Sequence, residues 1–552
     1  MTSDDHTDSL LKVKELSVSF SSDEGEVEAL DAVDFEVKHG QTLGLVGESG
    51  CGKSVTALSV MRLLPRPIGK ITGGSIHFGG MDLLKLSPDE IRQIRGNEIG
   101  MIFQEPMTAL NPVMTIGDQI DEIFRFHVSM PSEERQKRAL GLLEDVNLPD
   151  PSRIMAAYPH ELSGGQRQRS MIAMALALGP KILIADEPTT ALDVTTQAQI
   201  LRLIKDMQRR LGTGVLFITH DFGVVADIAD RVIVMQEGLI VESGTSTQVL
   251  NKPKHKYTKS LIAAIPRLKP RKARKRSNEV VVETSALHKS FGGGRSLFGI
   301  GKKAHAVDAV SDVNIELRKG ETLGVVGESG SGKSTLARCI IRLIDSDTGM
   351  VKLNGVDITS LKRNEMRQHR KFIQMVFQDP FASLNPRSKV GDIISQGPML
   401  QGIEKTKAHQ RAGELLDVVG LDSKAFDRFP HEFSGGQRQR IGIARALALD
   451  PDILVADEPV SALDVSIQAQ ILDLLDQIRK EMDLSMLFIT HDLRVAAQVC
   501  DFVAVMQKGH VVEVGATNKL FTQPQHEYTK SLLDAVLGTD WHFACLTLAV
   551  QA

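Results

Sequence analysis

Two stretches decide the fold of this chain: Gly-Glu-Ser-Gly-Cys-Gly-Lys-Ser at residues 47–54 and Gly-Glu-Ser-Gly-Ser-Gly-Lys-Ser at residues 327–334. Both fit the pattern Gly-x4-Gly-Lys-Ser/Thr of a phosphate-binding loop. The first lies between a short apolar segment, Thr42–Val46, and a helical pattern, Lys53–Leu64. In such a loop the glycines let backbone N–H groups surround an anion, the lysine reaches the outer phosphates, and the last hydroxyl holds Mg²⁺. The two stretches, named the phosphate loops below, therefore predict two sites for ATP and Mg²⁺.

The residues of the phosphate loops predicted to bind ATP are Gly47, Glu48, Ser49, Gly50, Cys51, Gly52, Lys53 and Ser54, and then Gly327, Glu328, Ser329, Gly330, Ser331, Gly332, Lys333 and Ser334. Cys51 takes a variable position of the pattern, where the backbone makes the contact with phosphate. We therefore expect no loss of binding from this cysteine, and we consider a thiol-reactive loop as a consequence of it.

The sequence around the loops is also duplicated. Three pairs of residues are each separated by 271 positions: Ser163 and Ser434, Asp186 and Asp457, and His220 and His491. The separation is 274 between Gln104 and Gln378 and 280 between the phosphate loops, so the insertions lie in the first half of each copy. A period of this length indicates a duplicated domain and not a solenoid of short repeats.

Strands and helices alternate along the first copy. The segments with a strand pattern are Leu11–Phe20, Val27–Val37, Thr42–Val46, Lys181–Ala185 and Gly214–Thr219, and Val232–Val241 resembles a hairpin. The sequence between Gln104 and Ser163 is mostly helical in pattern. This alternation predicts an α/β fold, with a parallel sheet that binds its ligands at the strand ends.

The chain is predicted to contain two domains, at residues 11–266 and 280–537, joined by a basic linker at 267–279. The linker contains Pro270 and lacks apolar periodicity, which favours a solvated, flexible tether; weak contact with anionic lipid headgroups is the other interpretation. Residues 538–552 contain the single tryptophan and match nothing in the first copy, so they are either a disordered tail or a frameshifted end.

Composition limits the class of protein. The 552 residues include 65 Lys and Arg and 69 Asp and Glu, a net charge of −4 that provides no basic footprint for nucleic acid. No apolar run of about 18 residues is present, and we expect neither a membrane span nor a secretory signal. The cysteines, which predict neither a disulfide framework nor a metal site, are Cys51, Cys339, Cys500 and Cys545. A cytosolic protein is the simplest interpretation.

Paired carboxylates follow one apolar strand in each copy. Asp186 and Asp457 end these strands, where a carboxylate can reach the Mg²⁺ shell. Glu187 and Glu458 come next, and a second carboxylate can orient or deprotonate the attacking water. An isolated Asp-Glu pair usually marks a solvated strand end. Here the phosphate loops and two Ser-Gly-Gly-Gln segments favour the catalytic role.

With these motifs, residues 11–537 resemble two fused ATP-binding subunits of an ATP-binding cassette (ABC) transporter. The resemblance implies, for each copy, a RecA-like parallel-sheet core with an antiparallel β subdomain and a helical subdomain. It implies that Gln104 and Gln378 sense the γ-phosphate and Mg²⁺ and touch a membrane partner. The residues expected at Mg²⁺ are then Ser54, Gln104, Asp186, Ser334, Gln378 and Asp457. The expected catalytic residues are Glu187, His220, Glu458 and His491.

The resemblance also implies that the two copies form ATP sites together. The signature loops would be Ser163, Gly164, Gly165 and Gln166, and Ser434, Gly435, Gly436 and Gln437. Family members pack head to tail, which would pair Lys53 with Ser434 and Lys333 with Ser163 in an intramolecular ATP sandwich. The loop aspartates that cross the interface would be Asp193 and Asp464. Phe20 and Phe291 resemble the aromatic residue that stacks on adenine, although either could belong to the core.

Three features are similar to importers of oligopeptides, dipeptides and glutathione. The glutamines lie in Phe-Gln-Glu-Pro and Phe-Gln-Asp-Pro, each copy closes with Pro-x-His-x-Tyr-Thr, and the second copy carries the insert Gly292–Lys303. Some members of that group bind an iron–sulfur cluster through cysteines after the Tyr-Thr segment. The stretch 267–276 contains no cysteine, so we predict no cluster.

The sequence therefore predicts an ATPase that powers uptake of peptides or a related small solute. It would lie on the cytoplasmic face of the inner membrane, attached to two transmembrane permease subunits and, through them, to a substrate-binding protein. One alternative is a soluble tandem-cassette translation or repair factor. The short linker and the lack of zinc-type cysteine pairs argue against it. A sugar importer is the other alternative, but such tandem proteins typically have one degenerate site.

Overall fold

The computed structural model describes residues 9–22, 25–189, 193–272, 274, 276–292, 307–461 and 463–538. These form two compact units: Met1–Ile265 with Leu537–Ala552, and Pro266–Val536, each over its described residues. Most of the glycine-rich insert of the second copy, and the tail from residue 539 onward, lie outside the described residues. Within the described part of the chain, no helix combines the length and the apolar character needed to cross a membrane.

Unit one contains two sheets. Its strands are β1 Ser9–Ser22, β2 Gly25–Lys38, β3 Thr42–Val46, β4 Gly69–Phe78, β5 Met81–Asp82, β6 Ile99–Ile102, β7 Ile182–Asp186, β8 Gly214–Thr219, β9 Arg231–Gln236 and β10 Leu239–Thr245. The order β2-β1-β4-β5 forms an antiparallel sheet, and β10-β9-β3-β8-β7-β6 forms a sheet that is parallel except at β10. The α/β class is therefore confirmed.

Helices of unit one cover the parallel sheet and fill the region between β6 and β7. They are α1 Lys53–Val60, α2 Pro88–Ile94, α3 Pro106–Ala109, α4 Ile116–His127, α5 Ser132–Asp145, α6 Pro151–Ala156, α7 Gly164–Leu176, α8 Val194–Leu211, α9 Phe222–Ile228, α10 Ser246–Asn251 and α11 Lys256–Ala264. Short 3₁₀ turns occur at Leu83–Lys85 and Pro159–Glu161.

Unit two repeats this architecture. Its strands are β11 Val280–Phe291, β12 Val307–Arg318, β13 Thr322–Val326, β14 Thr348–Leu353, β15 Val356–Asp357, β16 Ile373–Val376, β17 Ile453–Asp457, β18 Ser485–Thr490, β19 Phe502–Gln507 and β20 His510–Ala516. Its helices are α12 Lys333–Ile340, α13 Arg363–His369, α14 Pro380–Ser383, α15 Val390–Leu400, α16 Lys405–Val418, α17 Gly435–Leu447, α18 Val465–Glu481, α19 Leu493–Val499, α20 Thr517–Thr522 and α21 Glu527–Asp534, with 3₁₀ turns at Ser423–Asp427 and Pro430–Glu432.

The central strands of each parallel sheet are buried on both faces. Every residue of β3, β7 and β8 is buried, as are those of β13, β17 and β18. Such strands have continuous apolar sequences because both faces of the sheet are covered, in unit one by the antiparallel sheet with α1 on one face and by helices such as α7 on the other. The apolar cores on the two faces hold the strands in place, and the strand ends are thereby fixed relative to one another.

The helix after the first phosphate loop ends earlier than its apolar pattern suggests. The pattern extends to Leu64, but α1 ends at Val60 because Arg62 adopts a left-handed conformation with φ of 52°. The N–H of Arg62 then bonds to the carbonyl of Ser59, and the N–H of Leu63 bonds to that of Leu58. This is a Schellman ending, which satisfies the last carbonyls of the helix.

The described part of the basic linker is attached to unit two. Arg274 donates two hydrogen bonds, of 2.8 and 2.7 Å, to the buried carboxylate of Asp501. Arg276 donates to the buried Glu321 at 3.0 Å, and the backbone N–H of Arg271 donates to Ala497. These residues are therefore not a freely solvated tether. The guanidinium groups of Arg274 and Arg276 compensate the charge of carboxylates that are buried in unit two.

Candidate functional site

The predicted chemistry of each unit gathers at one edge of its parallel sheet. In unit one the phosphate loop follows β3, His220 follows β8, Asp186 ends β7, and Gln104 comes two residues after β6. These strands are neighbours in the order β3-β8-β7-β6 and run parallel. Their carboxyl ends therefore meet at the same edge, where an open α/β sheet binds its ligands.

Each phosphate loop is held from inside by its own lysine. Lys53 is 5% exposed, and its ammonium donates to the carbonyls of Gly47 at 2.9 Å and Glu48 at 2.8 Å. Lys333 makes the same two bonds, both 2.8 Å, in unit two. The bonds hold the positive charge at the mouth of the loop, where an anion can be bound by N–H groups and the ammonium together.

Two glycines of each loop show why the motif needs glycine. Gly50 and Gly330 have φ of 82° and 79°, and nothing lies within 4 Å of the place where a side chain would stand. Gly52 has φ of 104°, and a Cβ there would come within 2.9 Å of the Ala29 carbonyl. Gly332 has the same φ, and its Cβ would overlap the Ala309 carbonyl. The loop is therefore backed by β2 or β12 on one side and open on the other, as phosphate requires.

A hydroxyl and a carboxylate face each other beside each loop. Ser54 donates to Asp186 at 3.1 Å, and Ser334 donates to Asp457 at 2.9 Å. Burial raises the pKa of Asp186 to about 6, although the bond from Ser54 acts in the opposite direction. Burial raises the pKa of Asp457 as well. These are oxygen donors of the kind that Mg²⁺ prefers, and a cation there would compensate a carboxylate that is costly to ionise when buried.

The glutamate after each aspartate lies between the predicted histidine and glutamine. In unit two, Glu458 Oε2 lies 3.2 Å from His491 Nδ1 and accepts from Gln378 Nε2 at 2.9 Å. The corresponding distances from Glu187 to His220 and Gln104 are 3.4 and 3.3 Å. The structure thus brings together three residues that are far apart in the sequence, in both copies.

The partners of Glu458 favour its ionised form. Burial by itself acts to raise the pKa of Glu458, but the hydrogen bond and charge of His491 outweigh it, so this pKa lies below its ordinary value. Burial likewise acts to lower the pKa of His491, and Glu458 outweighs it in turn. An ionised carboxylate held by two donors can orient a water molecule and accept its proton.

The signature loops form the starts of helices α7 and α17. Ser163 accepts from the Gln166 N–H at 3.3 Å, while the Gln166 side chain accepts from the Ser163 N–H at 3.0 Å. Ser434 and Gln437 make the same capping box in unit two. The box explains the Ser and the Gln of the motif by helix capping alone. Helix capping does not explain the two glycines between the Ser and the Gln.

The loop aspartate of unit one has a role within its own unit. Asp193 accepts from the Thr196 N–H at 2.8 Å and from the Thr195 hydroxyl at 2.6 Å, and so caps helix α8. Its part in an interface between the two copies stays a prediction.

The two predicted adenine-stacking phenylalanines differ in exposure. Phe291, at the end of β11, is 44% exposed, and the Lys289 ammonium lies 5.6 Å from its ring centre. Phe20 is half-buried and packs against the core of unit one beside Gly69. Phe20 lies two residues before the end of β1 and Phe291 ends β11, and the two are paired with Val27 and Val307 of the next strand. A flat face for stacking is therefore more open at Phe291.

Cys51 is buried beneath its loop, which argues against a thiol-reactive loop. The residue is only 5% exposed, and its sulfur lies 3.7 Å from the Lys53 ammonium. Reaction with a reagent in solution requires access to the thiolate. The corresponding Ser331 is equally buried, so the position is a packing site in both copies.

One contact of the phosphate loops was not anticipated from the sequence. The Tyr257 hydroxyl accepts from the Glu48 N–H at 3.2 Å, and the Tyr528 hydroxyl accepts from the Glu328 N–H at 3.1 Å. The sequence contains only three tyrosines, and two of them occupy the same position of the two copies. That repetition is the signal that could have pointed to a role at the site.

Comparison with known proteins places these motifs in a family. Residues 30–190 and 310–461 match the family model described as "ABC transporter", and residues 241–293 and 512–542 match "Oligopeptide/dipeptide transporter, C-terminal region". The chain is 48% identical over 537 residues to the peptidoglycan transport ATP-binding protein YejF of Agrobacterium fabrum, covering 97% of this chain and 98% of that protein.

Two further relatives are glutathione import proteins. The chain is 44% identical to the glutathione import ATP-binding protein GsiA of Salmonella paratyphi A, over 97% of this chain and 91% of the relative. It is 45% identical to GsiA of Escherichia coli O157:H7, over 96% and 91% of the two chains. These comparisons give no support to the alternative of a tandem-cassette translation or repair factor.

Proposed function

Because the chain belongs to the ABC transporter family and contains two ATP-binding cassettes, we propose that it is the ATP-hydrolysing subunit of an importer for peptides or a related small solute such as glutathione. One observation carries the proposal of substrate class. The family model for the oligopeptide/dipeptide transporter C-terminal region matches after each of the two cassettes. Relatives named for peptidoglycan transport and glutathione import, similar over almost the whole chain, support it.

The residues of each sheet edge have distinct parts in this proposal. Lys53 and the loop N–H groups would bind the phosphates, and Ser54 with Asp186 would hold Mg²⁺. The bound nucleotide supplies the phosphoanhydride bond that is broken, and Mg²⁺ supplies charge neutralisation at the phosphates. Glu187 orients the attacking water and takes its proton, while His220 and Gln104 hold the Glu187 carboxylate in place. Lys333, Ser334, Asp457, Glu458, His491 and Gln378 have the same parts in unit two.

The ATP sites are proposed to be composite. In a head-to-tail arrangement Lys53 would share its nucleotide with Ser434, and Lys333 with Ser163. The first glycine of each signature loop suits this role, because a Cβ at Gly164 would meet nothing within 4 Å and one at Gly435 would meet only Leu463, at 3.8 Å. A phosphate could therefore approach the N–H groups at these helix starts.

Two membrane-spanning permease subunits are the proposed partners, and they would hold the chain at the cytoplasmic face of the inner membrane. Near Gln104, unit one has a cavity of about 470 Å³ whose lining is mostly apolar and includes Leu63, Phe103 and Phe126, with Arg92, Arg95, Glu122 and His127 also lining it. Phe126 is 47% exposed, and its counterpart in unit two, Leu400, is 61% exposed. Exposed apolar groups at corresponding positions of both units are what docking of two similar partners requires.

Uptake measurements test the proposed function. In cells that lack the endogenous chain, uptake of labelled dipeptides, oligopeptides and glutathione is compared with the wild-type chain and with Lys53→Ala/Lys333→Ala. We expect the wild-type chain to restore uptake of one of these solutes and the double variant to restore none. Restored growth or translation without restored uptake would favour the alternative function.

Membrane fractionation tests the partner. We expect the chain to sediment with membranes only when its permease subunits are co-expressed, and we expect Phe126→Asp with Leu400→Asp to release it. Leu211→Asp is the matched control, because Leu211 is 51% exposed and does not line this cavity. Attachment to membranes without the permeases would contradict the proposal and favour contact of the basic linker with lipid.

A further inference from the structure

A segment near the end of each copy reaches back to the phosphate loop. We call it the tyrosine strap: residues 253–258 in unit one and 524–529 in unit two. In unit one the Tyr257 hydroxyl both accepts from the Glu48 N–H, at 3.2 Å, and donates to the Glu48 carboxylate, at 3.1 Å. The phenol therefore binds the second residue of the phosphate loop by its backbone and by its side chain.

The strap itself is firmly built. Glu242 of β10 accepts hydrogen bonds from the N–H groups of Lys254 and His255, at 2.8 and 3.0 Å. His255 Nδ1 then accepts from the Tyr257 N–H at 3.3 Å, which caps helix α11. These hydrogen bonds connect the edge strand β10 to the phosphate loop through the strap. They fix the position of the Tyr257 phenol.

Unit two repeats the path. Glu513 of β20 accepts from the N–H groups of Gln525 and His526, and His526 Nδ1 accepts from the Tyr528 N–H at 3.1 Å. The Tyr528 hydroxyl is 3.1 Å from the Glu328 N–H. A chance contact of one tyrosine would not recur with the same partners in a second copy whose loop sequence differs at residue 331.

The charge of Glu48 gives the contact a consequence for nucleotide binding. The carboxylate belongs to the loop that would bind phosphates, and like charges repel at short range. The Tyr257 hydroxyl is a donor, and burial raises the pKa of this phenol, so it stays protonated. Its hydrogen bond holds the carboxylate against the strap in one orientation. Without the hydroxyl, this restraint on the carboxylate next to the phosphate site would be lost.

We propose that Tyr257 and Tyr528 are positioning residues for ATP binding: each phenol holds the second residue of its phosphate loop, and Tyr257 also restrains the negative charge of Glu48. The inference rests on the proposed ATP sites. The strap would thus contribute to ATP binding. Its sequence is also one of the features shared with importers of peptides and glutathione.

Steady-state ATPase kinetics of the full chain test the proposal. Tyr257→Phe with Tyr528→Phe removes only the two hydroxyls. We expect KM for MgATP to rise about five- to tenfold, the effect of losing one hydrogen bond of ordinary strength, with kcat changed less than about twofold. Tyr158→Phe is the matched control, because Tyr158 is exposed and its counterpart in unit two is Phe429. The control should leave KM unchanged.

A rescue distinguishes positioning from a general effect on stability. In a chain whose second site is silenced by Lys333→Ala, MgATP binding is measured for Tyr257→Phe and for Tyr257→Phe with Glu48→Gln. We expect Tyr257→Phe to weaken binding and Glu48→Gln to restore most of it, with melting temperatures equal within error. Unchanged binding in Tyr257→Phe, or a loss that Glu48→Gln does not restore, overturns the proposal.

Lys53→Ala in the same silenced chain keeps the two proposals apart. If it leaves MgATP binding intact, the proposed ATP site is wrong and the positioning role falls with it. If it abolishes binding while Tyr257→Phe does not weaken it, only the positioning role is overturned.

Discussion

At the scale of single residues, the two glutamates proposed as catalytic have an unusual backbone conformation. Glu187 and Glu458 have φ of 46° and 45°, in the left-handed region that non-glycine residues seldom adopt. Their N–H groups donate to the carbonyls of Ile218 and Ile489 on the neighbouring strand, at 2.9 and 3.0 Å. A conformation of this kind costs on the order of 1 kcal/mol or more and persists where the surroundings impose it. Here it directs each carboxylate toward its histidine and glutamine.

Removing the charge of either glutamate should stop turnover without preventing binding. We expect Glu187→Gln and Glu458→Gln each to lower the ATPase rate about a hundredfold to ten-thousandfold, because each removes the general base of one site. The amide keeps the volume of the side chain, so MgATP affinity should stay within about threefold of wild type. Paired rate and binding measurements check this. A variant with normal turnover would show that the two sites are not equivalent.

The signature glycines permit a clean test of composite sites. A Cβ at Gly435 would meet only Leu463, at 3.8 Å, whereas one at Gly436 would lie 2.5 Å from Ile467 of its own unit. We therefore expect Gly435→Asp to fold normally and to leave MgATP binding at Lys53 intact. Hydrolysis at that site should nevertheless fall at least about a hundredfold, because the added charge and volume block the approach of the N–H groups to phosphate.

A double-mutant cycle completes the test of the composite sites. Ser434→Ala should couple to Lys53→Ala in the free energy of activation and should couple much less to Lys333→Ala. Coupling within one unit and none between the units would refute the sandwich. Gly436→Asp is not a substitute for Gly435→Asp, since its effect on Ile467 would mix misfolding with catalysis.

At the scale of elements, strand β10 and the tyrosine strap depend on one carboxylate. Burial acts to raise the pKa of Glu242, but the hydrogen bonds from the N–H groups of Lys254 and His255 contribute to lowering it below its ordinary value of 4.5. A depressed carboxylate pKa stabilises the fold at pH above about 4.5. That contribution is lost as the pH falls through the lowered value, where the folded carboxylate takes up its proton.

We therefore expect Glu242→Gln to destabilise unit one by about 1 kcal/mol at pH 7, because two hydrogen bonds to a charged acceptor become weaker. The difference from wild type should shrink as the pH is lowered below about 4.5. Thermal unfolding at several pH values measures it. Glu144→Gln, at an exposed position of α5, is the control and should show a small effect at all of them. A Glu242→Gln difference that grows at acid pH would contradict the assignment.

At the scale of the whole molecule, the basic linker belongs to the structure of unit two. Asp501 is 2% exposed and accepts from Arg274 and from the Thr322 N–H, and Arg271 lies 3.9 Å away. The corresponding Asp230 of unit one accepts from the Thr42 N–H at 2.8 Å. The aspartate thus accepts the same backbone hydrogen bond in both copies. In unit two it also accepts from Arg274 and thereby attaches the basic linker to the domain.

Arg274→Ala should leave this buried carboxylate undercompensated. We expect unit two to lose about 1–3 kcal/mol of stability, at the lower end if Arg271 moves closer. Hydrogen exchange followed by mass spectrometry should show faster exchange in peptides from β13 and β19, and unchanged exchange in the corresponding strands of unit one. Lys272→Ala, at an exposed position of the same segment, is the control. Equal effects of the two substitutions would show that the ion pair contributes nothing.

Local patterns in the sequence were enough to find most of the elements and the residues at their ends. The glycines of the phosphate loops and the apolar runs of β3, β7 and β8 act over a few residues, so they can be recognised without knowing what packs against them. The repeat then identified the same positions twice. In this way the sequence alone determined the α/β class, the duplication, and the candidate residues from Lys53 to His491.

Only the tertiary structure decided which of these residues meet. Gln104 and Glu187 are 83 positions apart and become neighbours because β6 and β7 pair, and Tyr257 reaches Glu48 across 209 positions. The same holds for Arg274 with Asp501, which are 227 positions apart, and for the end of helix α1 at Val60, where the N–H groups of Arg62 and Leu63 bond back to the last turn. Strand order and the burial of charge depend on the whole domain, and no local pattern of residues carries that information.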